Sequence, residues 1–178
     1  MFIKISKLGA VLKKAYKGAG IHLEKQGAKL IVGTAYMYIE ADTATMTNEF
    51  KAEVIKYAGE IPVDGMAFTI AKDMVQNNIP SSYDRKLYET DLLNYPHYDE
   101  TLFIYNGEPV LQGDTLITVP AKEWAVYSPA AKGGSEDDVD GWYMVDGNIV
   151  CRNSTMILAL AFNKADDTLK GLQDKCLI

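Results

Sequence analysis

The sequence predicts an α+β fold: a mainly antiparallel sheet with helices packed on one face. Three observations point there. Short β-rich segments outnumber helical ones along the chain. Asn106-Gly107 and Asp146-Gly147, dipeptides suited to two-residue hairpin turns, each join two such segments. Two stretches, 7–17 and 48–58, instead space their apolar residues three and four apart. With 178 residues, 48% hydrophobic and 24% charged, the chain has a globular composition, which excludes disordered, collagen-like and coiled-coil classes. A chain this long buries about 70% of its unfolded surface and needs no metal or disulfide staple.

Phe2 to Ile5 alternates like a strand, and Ser6 is the expected cap of a helix starting at Lys7. Leu8, Val11, Leu12, Ala15 and Tyr16 form its apolar stripe, and Gly18 and Gly20 stop it. Strands are expected at 21–25, 29–32 and 36–41, with a turn at Gln26-Gly27. The second helix, 48–58, takes Thr47 or Asn48 as cap and Phe50, Val54, Ile55 and Ala58 as apolar face; Gly59 and Pro62 end it. Met66 to Ala71 reads as a strand, and 72–84 as a loop or linker because it holds Gln76-Asn77-Asn78-Ile79-Pro80-Ser81-Ser82. A helix at 85–93 is expected to end before Tyr95-Pro96.

The second half reads mostly as β: 101–105 and 110–111 around Asn106-Gly107, then 115–119. Pro120 suits the first turn of a short helix over 121–127. A Gly- and acid-rich loop covers 128–140. Strands 142–145 and 148–152 flank Asp146-Gly147, and 156–162 is strongly apolar. From Lys164 onward a last helical turn or a tail is expected.

Two stretches read alike. Phe2-Ile3-Lys4-Ile5-Ser6-Lys7-Leu8 and Leu116-Ile117-Thr118-Val119-Pro120-Ala121-Lys122 each run from a short strand through a helix start into an amphipathic helix. After each helix, Gly20 or Gly141 opens a hairpin, Ile21–Val32 in one case and Trp142–Cys151 in the other. The expectation is two similar β-α-β-β units, 1–92 with an extra helix and linker, and 93–178, packed as one compact domain. This pattern resembles the DNA sliding-clamp family, whose domains pair two such units with their helices on one face. Leu93-Asn94-Tyr95-Pro96-His97-Tyr98-Asp99-Glu100 is similar to the clamp stretch that closes a unit, an aromatic followed by Pro, Tyr and an acid. The resemblance covers about 1–42 and 93–162; the helix at 48–58 departs from it, and the length corresponds to one clamp-type domain, so a ring would need self-association.

Charge is split along the chain. Residues 1–30 hold seven lysines against one acid, Glu24, for a net +6; the remaining 11 basic and 23 acidic residues give −12. The resemblance implies that Lys7, Lys13, Lys14 and Lys17 meet the DNA backbone, a contact that needs charge and no sequence reading. It also implies a replication or mobile-element protein as a partner. The second helix offers only Lys122, beside Glu123, which fits an inner face poorly. A solvated helix face is the simpler alternative for all of these lysines.

Chemical constellations are few. Glu136, Asp138, Asp140 and Gly141 match the first half of a calcium loop, but Gly147 stands where the closing Glu belongs, so a solvated loop is expected and no metal is assigned. Of the two histidines, His22 is expected on a strand surface and His97 in a turn. Cys151, His97 and Asp99 would supply a nucleophile, base and orienter only if folding joined them. No Gly-rich phosphate loop follows a strand, and no cofactor is expected. Two cysteines, Cys151 and Cys176, suit a reducing compartment, and no run of about 20 apolar residues occurs, so a cytoplasmic protein without a membrane span is expected. The functional expectation is a non-catalytic binding or assembly module touching DNA through its first helix. A protein-interaction module using aromatic and acidic surface is the alternative, and a small hydrolase a third.

Overall fold

The computed structural model describes residues 2–78, 91–128 and 139–176. It is α+β. The first half runs α1 (Ile5–Lys17), β1 (Ile21–Gln26), β2 (Lys29–Gly33), β3 (Met37–Asp42), α2 (Asn48–Ala58), β4 (Ala67–Ala71) and β5 (Met74–Asn78). After a 3-10 turn at Leu92–Asn94 come β6 (His97–Tyr105), β7 (Glu108–Gln112), β8 (Leu116–Thr118), α3 (Ala121–Trp124), β9 (Val139–Val145), β10 (Asn148–Asn153), β11 (Met156–Leu160), β12 (Asn163–Lys164) and α4 (Asp167–Cys176).

The twelve strands among the described residues form one antiparallel sheet in the order β12-β8-β7-β6-β9-β10-β11-β3-β2-β1-β4-β5. Strands from the first half of the chain fill one end and those from the second half the other. They join where β11 pairs β3, with Leu158 opposite Ile39 and Met156 opposite Ala41. β6 serves two partners, His97 and Tyr98 pairing β9 and later residues pairing β7 across a register shift between Glu100 and Ile104.

The main core lies between the sheet and α1 and α2. Leu8 and Leu12 of α1 and Phe50 of α2 pack on Leu23, Leu30, Ile39 and Leu158, all fully buried. At about 1.5–3 kcal/mol per buried large apolar side chain, this layer is the main stabilising term. A second cluster on the opposite face joins Val150, Ile157 and Ala159 to Leu92 of the 3-10 turn. Apolar contact on both faces explains why β11 reads as an unbroken hydrophobic run. A third cluster seats α4 through Leu169 and Ala165 on Val110 and Leu116. The Asp166 carboxylate accepts from the Leu169 amide at 2.8 Å and from the Tyr105 hydroxyl, so α4 is capped and tied to β6 by one residue. Those bonds hold the Asp166 carboxyl below its ordinary range, the Leu169 amide first and the Tyr105 hydroxyl next.

The helix over 48–58 stands as expected, with the Thr47 hydroxyl accepting from Phe50 N and Gly59 at φ +80°. Ile55 is the exception on its apolar face, being exposed. Other expectations need correction. The opening strand shrinks to a bridge, Ile3 to Tyr127, because Lys4 N and Phe2 O bond Val126 and Ser128; this frees Ile5 to start α1, with Lys4 rather than Ser6 at the cap position. Part of the expected linker is strand: Gln76, Asn77 and Asn78 belong to β5, whose pairing with β4 supplies the backbone partners their side chains do not favour. The helix expected over 85–93 lies outside the described residues up to 90 and is a 3-10 turn beyond. The short helix stops at Trp124 instead of Tyr127, and His97 stands in β6, not in a turn. The segment after Lys164 forms the full helix α4.

Candidate nucleic-acid interface

α1 contains no acid. Its helical repeat sends Leu8, Val11 and Leu12 into the core, which leaves Lys7, Lys13, Lys14 and Lys17 on the outward side, all exposed. The rise of a helix puts Lys7 and Lys17 about 15 Å apart along the axis. Among the described residues none of the four ammonium groups makes a hydrogen bond or an ion pair. Lys14 Nζ lies 5.9 Å from the centre of the Tyr36 ring. Lys14 and Lys17 also stand in the last turn, where the helix dipole favours a cation. Flexible ammonium groups without planar, base-reading partners suit contact with a phosphate backbone.

The basic surface is one helix wide. On α2, Glu49, Lys51, Glu53 and Lys56 alternate in sign, and Lys56 pairs Glu53 at 3.4 Å. α2 meets α1 through the Tyr57 hydroxyl, which donates to the Gly9 carbonyl at 3.3 Å. On α3, Lys122 is exposed, but Glu123 turns inward and is only 4% exposed. Beside it opens a groove of about 220 Å³ between α1, the β2–β3 turn and α3, lined by Lys14, Lys17, Tyr36 and Glu123.

Elsewhere the polar groups satisfy one another. His22, expected on the surface, is half-buried: Nε2 lies 3.2 Å from the Glu24 carboxylate and Nδ1 3.2 Å from Asn78 Nδ2. Asn78 Nδ2 also donates to the Thr69 hydroxyl at 2.7 Å. Both ring nitrogens of His22 therefore have partners within the protein. Glu24 accepts from Gln26 as well, and Glu40 accepts from the Tyr38 hydroxyl at 3.1 Å. The register sets these two buried carboxylates on either side of Ile31, on the face away from α1. Sequence reading assigned neither one a role; alternation with His22, Gln26 and Tyr38 was the available signal.

The nucleophile–base set does not assemble. Cys151 is fully buried in the core on the helix side, whereas His97 packs edge-on against Tyr143 on the opposite side. His97 Nδ1 lies 3.7 Å from Asp99. Cys151 neighbours Tyr127 instead; burial, then Cys151, then Glu100 raise the Tyr127 hydroxyl above its ordinary value. Trp142 Nε1 donates to the same Glu100 at 3.3 Å. Among the described residues no group of three His, Cys, Asp or Glu is gathered to hold a metal ion. Of the residues that match half of a calcium loop, Glu136 and Asp138 lie outside the described residues, and Asp140 and Gly141 stand in β9. Among the described residues no helix is long and apolar enough to cross a membrane.

No family model, no curated protein and no solved structure matches the chain. Fold and surface together describe an α+β protein with a broad antiparallel sheet and one strongly basic helix on its helical side.

Proposed function

We propose that the protein is a non-catalytic, clamp-like binding module that holds the DNA backbone through α1. The observation that carries this reading is the row of four exposed lysines, Lys7, Lys13, Lys14 and Lys17, with no acidic partner among the described residues. Support for the clamp-like part comes from strand order. β1-β2-β3 and β9-β10-β11 follow α1 and α3 respectively, and they meet back to back at the β3–β11 pair. On this reading the two β-α-β-β units are a duplication, and association of several copies would close a ring.

Gel shift of a duplex of arbitrary sequence tests the reading. Each phosphate contact contributes about −0.9 to the slope of log K against log salt, so the four lysines give a slope of roughly −3.6. Lys13→Glu, Lys14→Glu and Lys17→Glu together are expected to abolish the shift. No shift at low salt, or one insensitive to the triple change, rejects the reading.

A protein-interaction module is the second reading, and one observation favours it. Leu102, Phe103 and Ile104 stand in a row on β6, all more than half exposed. Apolar residues so disposed mark contact surfaces. A protein partner would survive the lysine changes and be lost with Phe103→Glu.

A further inference from the structure

The groove beside α3 contains a feature that the duplex reading does not use. Glu123 is 96% buried by its 4% exposure, yet among the described residues its carboxylate has no hydrogen-bond donor and no cation. A buried carboxylate without a donor is costly, by several kcal/mol or more in the absence of a partner. The other buried carboxylates, Glu24 and Glu40, both accept hydrogen bonds from neighbouring side chains. Glu123 instead lines a groove of about 220 Å³ whose less exposed lining also includes Val11, Ala15, Gly20 and Thr34. At its mouth stand three exposed side chains, Lys14, Lys17 and Tyr36.

The ligand that completes this arrangement carries hydrogen-bond donors at its inner end and an anion at its outer end, with a flat body between. A cationic side chain of a peptide would satisfy Glu123 but would have to pass two lysines. The volume is below the roughly 300–1,000 Å³ that encloses a drug-sized molecule, so it takes a ring and leaves the remainder outside. We propose that the groove binds a guanine nucleotide base-first. A carboxylate accepts only, and it accepts through two oxygens. Guanine alone among the common bases sets two donors side by side on its pairing edge, N1–H and the 2-amino group. Adenine and cytosine each present an acceptor next to their amino group, which would face a carboxylate oxygen. Tyr36 covers the ring face, and Lys14 and Lys17 take the phosphate. The inference stands apart from the duplex reading, although those two lysines serve both.

Calorimetric titration of the full chain with dGMP and dAMP tests it. dGMP is expected to bind at least about tenfold more tightly, the value of a charge-assisted hydrogen bond. Glu123→Gln is expected to erase that preference, leave the duplex gel shift unchanged and raise Tm without ligand, because it removes a buried carboxylate that has no donor among the described residues. A merely structural Glu123 would lower Tm on substitution. Tyr36→Ala, at an exposed position that folding does not need, is expected to weaken dGMP about tenfold. A dT oligomer with one central dG separates the sources: tighter binding than dGMP assigns the site to a single strand, equal binding to the free nucleotide. Equal binding of dGMP and dAMP overturns the proposal, as does a preference that survives Glu123→Gln.

Discussion

Tyr127 joins the start of the chain to the core. Its ring packs edge-on with Phe2 and Trp142 at 6.0 and 4.9 Å between centres, and its backbone pairs with Ile3. Burial, Cys151 and Glu100 all favour its neutral hydroxyl. A tyrosine in the unfolded chain titrates near pH 10. Because the folded value is the higher one, the stabilisation is complete below about pH 10 and is lost as pH rises beyond it. Urea midpoints measured from pH 8 to 11 are expected to fall more steeply for the natural protein than for Tyr127→Phe. Parallel curves would mean that the hydroxyl is not held neutral by the fold. The individual roles of such residues were poorly legible in the sequence. The four lysines of α1 could be read as outward-facing from helical spacing alone, whereas the burial of Glu123 could not, since α3 is too short to display a period.

At the scale of elements, the turns do much to set register. Asn106 and Gly107 lie at φ +52° and +83°, and Asp146 and Gly147 at +47° and +80°, the paired left-handed residues that match the twist of a hairpin. Both turns were legible because only a few residue pairs tolerate that backbone. A side chain at Gly107 meets no neighbour within 4 Å, so the cost of Gly107→Ala is conformational alone, about 1 kcal/mol. Thermal denaturation checks this, and an unchanged Tm would show that the turn does not restrain β6 and β7. Edges of elements were harder to read. β5 is rich in Gln and Asn and was expected as loop; it is strand because β4 lies alongside with matching backbone groups, a fact of pairing and not of propensity.

For the whole molecule, the β3–β11 seam matters most, since among the described residues it is the ladder that joins the two halves of the sheet. Leu158 is fully buried at that seam, opposite Ile39. Leu158→Ala is expected to cost about 2–5 kcal/mol in urea unfolding, as a single transition, because the cavity would open beneath both helices. Two separated transitions would show instead that the halves fold independently. The charge division also acts at this scale. The first 30 residues carry a net +6 and the rest −12, and on the proposed DNA reading this division would favour approach of a polyanion to α1.

The chain by itself determined the class of fold, the two main helices, both tight hairpins and the outward row of lysines. Each of these follows from local periodicity or from a backbone conformation few residues accept. Tertiary structure decided which strands lie side by side, that β11 is covered on both faces, that His97 and Cys151 lie on opposite sides of the sheet, and that Glu123 faces a groove. Those outcomes depend on contacts between residues far apart in sequence, and a pattern read along the chain contains no term for them.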